Sequence, residues 1–300
     1  MTTSTEPVST STDTTRRLSD YVLLAKPRLN SLVLTTTFIG FYLAVPSGPF
    51  PFALLWHTLL GTALTAGGAA ALNMYRERES DKLMRRTMLR PLPAGRLHAR
   101  EALAFGLLCG LAGTVWLAVF AGGLTAALGL ASFILYVLAY TPMKARSSFN
   151  TAVGALTGAL PPMMGWVAVR GELSPEAWAL FGILFFWQHP HFFALAWMYR
   201  RDYEDAGFRM LPAVDAEGHL AARMMVLFSL GLIPVSLFLA LTGCVGGWYV
   251  AVALGLGLAY LGVSVLFFLD RSLQKARRVF FASILYLPAL MAVMMLDKNG

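Results

Sequence analysis

Polar and apolar positions in this chain separate on the scale of whole helices. Nine long apolar runs, at roughly 29–46, 52–74, 99–121, 123–141, 149–169, 175–199, 220–242, 246–269 and 278–296, alternate with polar stretches. A helix needs about 20 mostly apolar residues to cross the hydrocarbon core of a bilayer, and each run has close to that length. Membrane barrels are built from strands of about 10 residues with alternating polarity, a pattern these runs lack. Two links, Ala121-Gly122-Gly123 and Gly243-Cys244-Val245-Gly246-Gly247, are so short that the helices they join are antiparallel neighbours. The runs predict an all-α polytopic membrane protein with nine transmembrane helices.

The basic residues fix the orientation. With the N-terminus inside, 22 of the 24 Lys and Arg fall in the segments on the cytoplasmic side, leaving only Arg170 and Lys298 opposite. Cytoplasmic loops carry such an excess, and miscounting by one helix would scramble the alternation downstream. The expected topology is an integral protein of the cytoplasmic (inner) membrane, N-terminus cytoplasmic and C-terminus external. The polar stretches after the second and sixth runs are the long ones, so chemistry that uses charge is expected at the cytoplasmic helix ends. Residues 1–20, rich in Ser and Thr with no apolar segment, read as a disordered cytoplasmic tail, and 21–300 as one transmembrane domain.

Composition narrows the class. The chain is 57% apolar and 13% charged, with a mean hydropathy of +0.62. Soluble domains carry about twice that share of charge, so a soluble enzyme, a disordered regulator and a disulfide scaffold are excluded. The net charge of +8 is accounted for by the topology, which removes the case for a nucleic-acid partner. Cys109 and Cys244 lie in apolar surroundings and read as small hydrophobes.

Three constellations carry candidate chemistry. After the second run, Asn73, Glu77 and Asp81 recur every four residues. If the helix continues that far, an amide and two carboxylates share one face, where the acids repel unless a cation lies between them. Oxygen ligands with open positions suit Mg²⁺ or another divalent cation bridging to a substrate phosphate, and Arg85, Arg86 and Arg90 follow to meet the anion. After the fourth run, Lys144 and Arg146 are either topology anchors or a second grip on a diphosphate. The fifth run carries Gly154, Gly158, Pro161, Pro162 and Gly165; its prolines are expected to break the helix and free backbone groups to line a cavity. In the sixth run, Gln188-His189-Pro190-His191 puts two histidines within an apolar span, where ionisable groups are expensive and mark substrate contacts. Histidine is also a heme-iron ligand.

The stretch from Asn73 to Gly95 resembles the signature of the UbiA-type intramembrane prenyltransferases, with Glu77 where Asp is frequent and Ser80 where an apolar residue is usual. Further segments resemble the branch of that family that farnesylates protoheme: Asp20-Tyr21 with Lys26-Pro27-Arg28, the Gly158–Trp166 run, Trp187-Gln188 with Pro190-His191-Phe192, Asp202-Tyr203 with Ala206-Gly207 and Met210-Leu211-Pro212, and Phe281 to Leu287. Together they span residues 20–296. Lys-Ala-Arg-Ser-Ser at 144–148 departs from the fuller basic cluster common there. The resemblance implies helices around a central cavity open to the cytoplasmic side and to lipid. It also implies transfer of a farnesyl group from farnesyl diphosphate to a vinyl group of protoheme IX. It puts Asn73, Glu77, Asp81 and a second acidic motif, Asp202 with Asp205, on the metal, and Arg86, Arg90, Lys144 and Arg146 on the diphosphate. His191 and Gln188 would meet the heme, with Arg28 or Arg209 toward its propionates. Hand-over of the product to a heme-modifying enzyme or terminal oxidase is left open, as are two rivals: a prenyltransferase with a quinone-precursor or chlorophyll-type acceptor, and a heme carrier or transporter.

Overall fold

The computed structural model describes residues 10–299, and of 10–16 the backbone alone. It is all-helical apart from one isolated bridge, Val245 with Lys298. In chain order the helices are α1 (Thr10–Leu24), α2 (Pro27–Ala44), α3 (Phe52–Leu83), α4 (Ala99–Phe120), α5 (Gly123–Ile134), α6 (Thr141–Met143), α7 (Asn150–Arg170), α8 (Pro175–Met198), α9 (Arg200–Asp205), α10 (Leu211–Val214), α11 (His219–Leu241), α12 (Gly247–Leu269) and α13 (Leu273–Leu296). A π-helical turn, Leu135–Tyr140, joins α5 to α6 without a break. Among the described residues, nine long helical segments thus match the nine apolar runs. Eight are long and apolar enough to cross a membrane; α2, with 18 residues that include Arg28, Asn30 and Thr35 to Thr37, falls short on apolarity. The protein is an integral membrane protein.

Burial is inverted where lipid replaces water. On α4, Leu107, Leu108, Leu111 and Val119 are exposed, while Gly106 and Gly113 turn inward against α3 and Gly110 toward Phe133 of α5. The most enclosed long helix is α7. It packs against α2 at two glycines: a Cβ on Gly40 would lie 1.9 Å from the Pro162 carbonyl oxygen, and one on Gly165 would lie 1.9 Å from that of Thr37. Such close approach substitutes for the hydrophobic driving force that helices in lipid lack.

Two expectations need correction. Pro161 and Pro162 do not break their helix, because α7 runs through them to Arg170. A proline leaves the carbonyl four residues earlier without its helical donor. For Pro161 that carbonyl belongs to Thr157, and the Ser132 hydroxyl of α5 approaches it at 3.4 Å. Part of the expected disordered tail is also helical. Residues 1–9 lie outside the described residues, but α1 begins at Thr10 and docks on the bundle. Its polar turns meet charged partners: Arg17 pairs with Glu101 at 3.1 Å and Asp20 with Arg96 at 2.9 Å. Leu24 is fully buried in a cluster with Ala71, Met74, Leu92 and Leu97. The domain boundary expected at residue 20 therefore falls inside a helix.

The two ends of the bundle differ. One end collects α1, the α3–α4 loop, α6, α9, α10 and the α12–α13 loop, and with them most of the charge. At the other, the C-terminus closes the bundle: Asp297 Oδ2 accepts from the Tyr249 N–H at 2.7 Å, and Lys298 Nζ donates to the Tyr42 carbonyl at 2.8 Å.

Candidate active site

Helix α3 continues to Leu83, so Asn73, Glu77 and Asp81 do form a ladder on one helix face at the charged end. All three are buried, at 0, 7 and 0% exposure. Buried carboxylates need counter-charge, and each rung has a cation on it. Lys26 Nζ donates to Asn73 Oδ1 at 2.6 Å, Lys144 Nζ pairs with Glu77 Oε1 at 2.8 Å, and Arg90 pairs with Asp81 Oδ2 at 2.7 Å. The Asn73 amide donates to Thr141 Oγ1 at 3.1 Å. Asp81 Oδ1 is buried with no protein partner.

The elements that hold these cations are shaped for it. Lys26 sits in the left-handed region (φ 48), the one described non-glycine residue that does, between the end of α1 and Pro27 at the start of α2. That conformation is costly for a side chain followed by proline, and such strain persists where the surroundings over-determine it. The π-helical turn shifts the register so that Thr141 reaches Asn73 and the Tyr140 ring lies 4.7 Å from Lys144 Nζ. Two loops are stitched together over Lys144: its carbonyl accepts from the Arg209 N–H at 2.6 Å, and the buried Asn150 amide donates to the Arg209 and Ser147 carbonyls. Thr87 Oγ1 donates to the Asp81 carbonyl at 2.9 Å and holds the following loop back so that Arg90 returns.

Two of these cations are perturbed in opposite directions. Burial lowers Lys26 to about 7, helped by the Arg90 and Lys144 charges and resisted by Glu77 and Asp81. Burial also opposes the charge on Lys144, but Glu77, Tyr140 and Tyr136 outweigh it and hold Lys144 above the ordinary lysine value. Lys144 is a fixed cation, whereas Lys26 gives up its proton easily.

One helical turn further from the charged end, the same helices line an apolar cavity of about 100 Å³. Leu29 and Val33 of α2, Ala69 and Ala70 of α3, Tyr136, and Gly158 and Pro161 of α7 face it. A charged cluster and an apolar cavity thus lie one helical turn apart on the same helices, the arrangement expected for a ligand with a charged head and a greasy tail.

The other predicted residues lie in different surroundings. Arg86 does not approach Asp81. It donates to the Tyr203 hydroxyl at 2.6 Å and stacks over the Tyr199 and Tyr203 rings, tying the α3–α4 loop to α9. Arg146 is exposed. Among the described residues no three His, Cys, Asp or Glu side chains come together as a metal site, so Asp202 and Asp205 are not gathered with Glu77 and Asp81. Asp202 lines a separate cavity, and Asp205 is exposed.

Gln188 is buried on α8, donating to the Ala155 carbonyl at 2.9 Å, with its oxygen in the space left by Gly158. His191 lies between the rings of Trp187 and Phe280, with centroids 5.1 and 5.0 Å away. Its Nδ1 is 2.7 Å from Ser283 Oγ, and that hydroxyl donates its proton to the Phe280 carbonyl. His191 Nδ1 must then be the donor, which leaves the lone pair on Nε2. His189 is fixed likewise by the Phe185 carbonyl and stacks on Phe228 at 3.6 Å, but its Nε2 is enclosed without a partner. Of the two, only His191 stands in half-buried surroundings.

Sequence reasoning assigned no site role to Lys26, Tyr140, Thr141, Asn150 or Tyr203. Lys26 carried a signal, a lysine directly before a proline ahead of an apolar run. Tyr140 meets Lys144 four residues on, whereas Thr141, Asn150 and Tyr203 act through contacts 59 to 117 residues apart, which have no local signature.

The chain is a membrane-embedded helical bundle with a paired acid ladder at one end and an apolar cavity one helical turn from it. The chain belongs to the UbiA prenyltransferase family, whose profile matches residues 33–285. It is 45% identical over 291 residues to the protoheme IX farnesyltransferase of Solibacter usitatus, covering 94% of this chain and all of that one. Solved structures share its fold. A digeranylgeranylglyceryl phosphate synthase superimposes with a TM-score of 0.79 at 14% identity, covering 94% of this chain and 98% of that one. A UbiA homologue from Archaeoglobus fulgidus bound to GPP and Mg²⁺ does so with 0.64 at 16%, covering 92% and 99%.

Proposed function

We propose that this protein transfers the farnesyl group of farnesyl diphosphate to a vinyl group of protoheme IX, with addition of water, giving heme O and diphosphate. The observation that carries the reading is the buried Asn73–Glu77–Asp81 ladder, paired with Lys26, Lys144 and Arg90, with an apolar cavity one helical turn from it. The full-length likeness to a protoheme IX farnesyltransferase selects the acceptor.

The ladder's donor set fits a divalent cation. It offers an amide oxygen and two carboxylates on one face, with Asp81 Oδ1 buried and unpartnered, and Mg²⁺ characteristically combines one or two carboxylates with substrate phosphate oxygens. Asn73, Glu77 and Asp81 would hold it. Bound there, the metal would supply positive charge to the diphosphate as the allylic C–O bond breaks.

The chain's own groups do the rest. Lys144, Arg90 and Lys26, which lie on the ladder, turn to the diphosphate oxygens and stabilise the electron pair that departs with them. Arg86 and Arg146 meet the anion at the rim. The farnesyl tail lies in the apolar chamber, away from water until the allylic cation has formed. The vinyl π electrons then form the new C–C bond, and water adds to the resulting cation and releases a proton. His191, through Nε2, orients the protoheme. The charged end faces the cytoplasm, with the N-terminus inside and the C-terminus outside the cytoplasmic membrane, as the positive-inside rule requires.

The test is direct. Protein in lipid nanodiscs, given Mg²⁺, farnesyl diphosphate and protoheme, should yield a more hydrophobic heme, heavier by a farnesyl group and a hydroxyl. Unmodified heme together with prenylation of a phenolic acceptor would overturn the reading.

A further inference from the structure

The charged end holds a second cavity that the ladder does not use. It has a volume of about 400 Å³ and lies between the end of α8, α9 and the start of α13. Three arginines line it: Arg200, Arg201 and Arg271. The one acid in its lining is Asp202. Among the described residues none of the three arginines enters an ion pair. Elsewhere at this end cations are spent on acids, as on Asp20, Glu77 and Asp81. Here three positive charges face one negative charge, which leaves a surplus of two.

Two of the guanidinium groups are held in place. Arg200 stacks over the Trp197 ring at 4.6 Å, and Arg271 donates to the Phe268 carbonyl at 3.0 Å. Trp197 is itself wedged between the edge of Phe267 and Gly218, where φ is +72 and a Cβ would fall 2.5 Å from the ring. Such pre-organised forks suit carboxylates, which they can bind with two parallel hydrogen bonds.

The cavity also has a direction. Met198 and Leu273 line it. Seven residues deeper on each helix lie His191 and Phe280, which stack on each other across the same α8–α13 seam. Seven residues are two helical turns, about 10 Å along the axis. That span is comparable with the distance from a heme iron to the carboxylate edge of its ring.

We propose that this cavity binds the two carboxylates of a protoheme-type tetrapyrrole, with Arg200 and Arg271 as the main partners, so that the ring enters the α8–α13 seam with its metal toward His191 Nε2. The assignment rests on the acceptor proposed above, and it moves the carboxylate partners from Arg28 and Arg209 to these arginines. It also gives Asp202 a place at the rim of an arginine site, away from the metal.

Absorbance titration of the full chain in nanodiscs of zwitterionic lipid tests it, with iron protoporphyrin IX and its dimethyl ester as probes. The free acid should bind at least tenfold more tightly than the ester, and the double variant R200Q/R271Q should bring the two within about twofold by weakening only the acid. Wild-type protein indifferent to esterification, or a variant that keeps the preference, overturns this site and leaves the proposed reaction standing. Failure to bind either probe overturns the acceptor itself. An anionic lipid headgroup could seek the same arginines. Nanodiscs with half anionic lipid should weaken acid binding less than twofold, and displacement of the probe by that lipid would make the cavity a lipid site.

Discussion

Two acidic segments stand at the charged end of this bundle, on α3 and α9, and the fold treats them in opposite ways. On α3, Glu77 and Asp81 lie within a 32-residue helix, are buried, and face Lys144 and Arg90 at 2.8 and 2.7 Å. On the six-residue α9, Asp202 is half-buried, Asp205 is exposed, and neither is in an ion pair among the described residues. A surface carboxylate is already solvated by water and needs no partner. A buried one is stable only with a counter-charge, which Lys144 and Arg90 supply to the α3 ladder.

The sharpest way to break this comparison is to neutralise one acid in each segment. Asp81→Asn removes a ladder oxygen charge and should lower turnover by about 100-fold or more, the scale seen when charge stabilisation of a transition state is lost. Asp202→Asn should lower it less than tenfold. Product formation by chromatography and mass, with helix content checked by circular dichroism, reads both. Equal losses would place α9 in the same metal site as α3.

Stability separates the segments next. Lys144→Met leaves Glu77 buried without its partner, which costs about 3 kcal/mol. The apparent melting temperature should therefore fall by several degrees, and Glu77→Gln in the same chain should restore most of the loss. Arg201→Met, next to Asp202, should change the melting temperature little. A silent Lys144→Met would mean that water or lipid headgroups already solvate Glu77.

The helices could be read directly from the sequence because the bilayer imposes them: nine apolar runs became nine long helical segments, most of whose boundaries shift by no more than two or three residues. The ladder was legible too, since i, i+4, i+8 spacing needs only one helix to be true. What could not be read was partnership. Nothing local says that Lys26, 47 residues before Asn73, donates to it, or that Arg86 turns to Tyr203 instead of Asp81. The Pro161-Pro162 pair was misread for a related reason, because the hydroxyl near the freed Thr157 carbonyl comes from α5, 25 residues away. The α9 acids matched a motif by order along the chain, and order does not determine where a short loop helix points.

The histidine pair repeats the contrast on a smaller scale. His191 and His189 both direct Nδ1 to a fixed acceptor, but His189 Nε2 is sealed against α11 and His191 lies in the α8–α13 seam. His191→Ala should weaken protoheme binding by about tenfold, the order of a lost metal ligand or its orienting partner, with farnesyl diphosphate binding unchanged. His189→Ala should leave both affinities within about twofold and act on the melting temperature. Equal loss of both substrates in His191→Ala would assign that ring to packing.

The smallest effect concerns Lys26, the cation that the ladder holds most loosely. Its folded value of about 7 lies below the 10.5 of an unfolded chain. Between those values the unfolded chain carries one proton more, so stability rises with pH through this window, and below it the full penalty of the buried charge is present. A bound diphosphate would raise Lys26 again. Calorimetry of inorganic diphosphate with Mg²⁺, repeated in buffers of different ionisation enthalpy, should therefore register uptake approaching one proton near pH 8 that vanishes well below pH 7, once the diphosphate's own titration, measured separately, is subtracted. Lys26→Met should abolish the uptake while Lys144 and Arg90 keep part of the affinity. If the wild-type protein takes up no proton, Lys26 belongs to Asn73 in both states, and the strained backbone before Pro27 serves the fold alone.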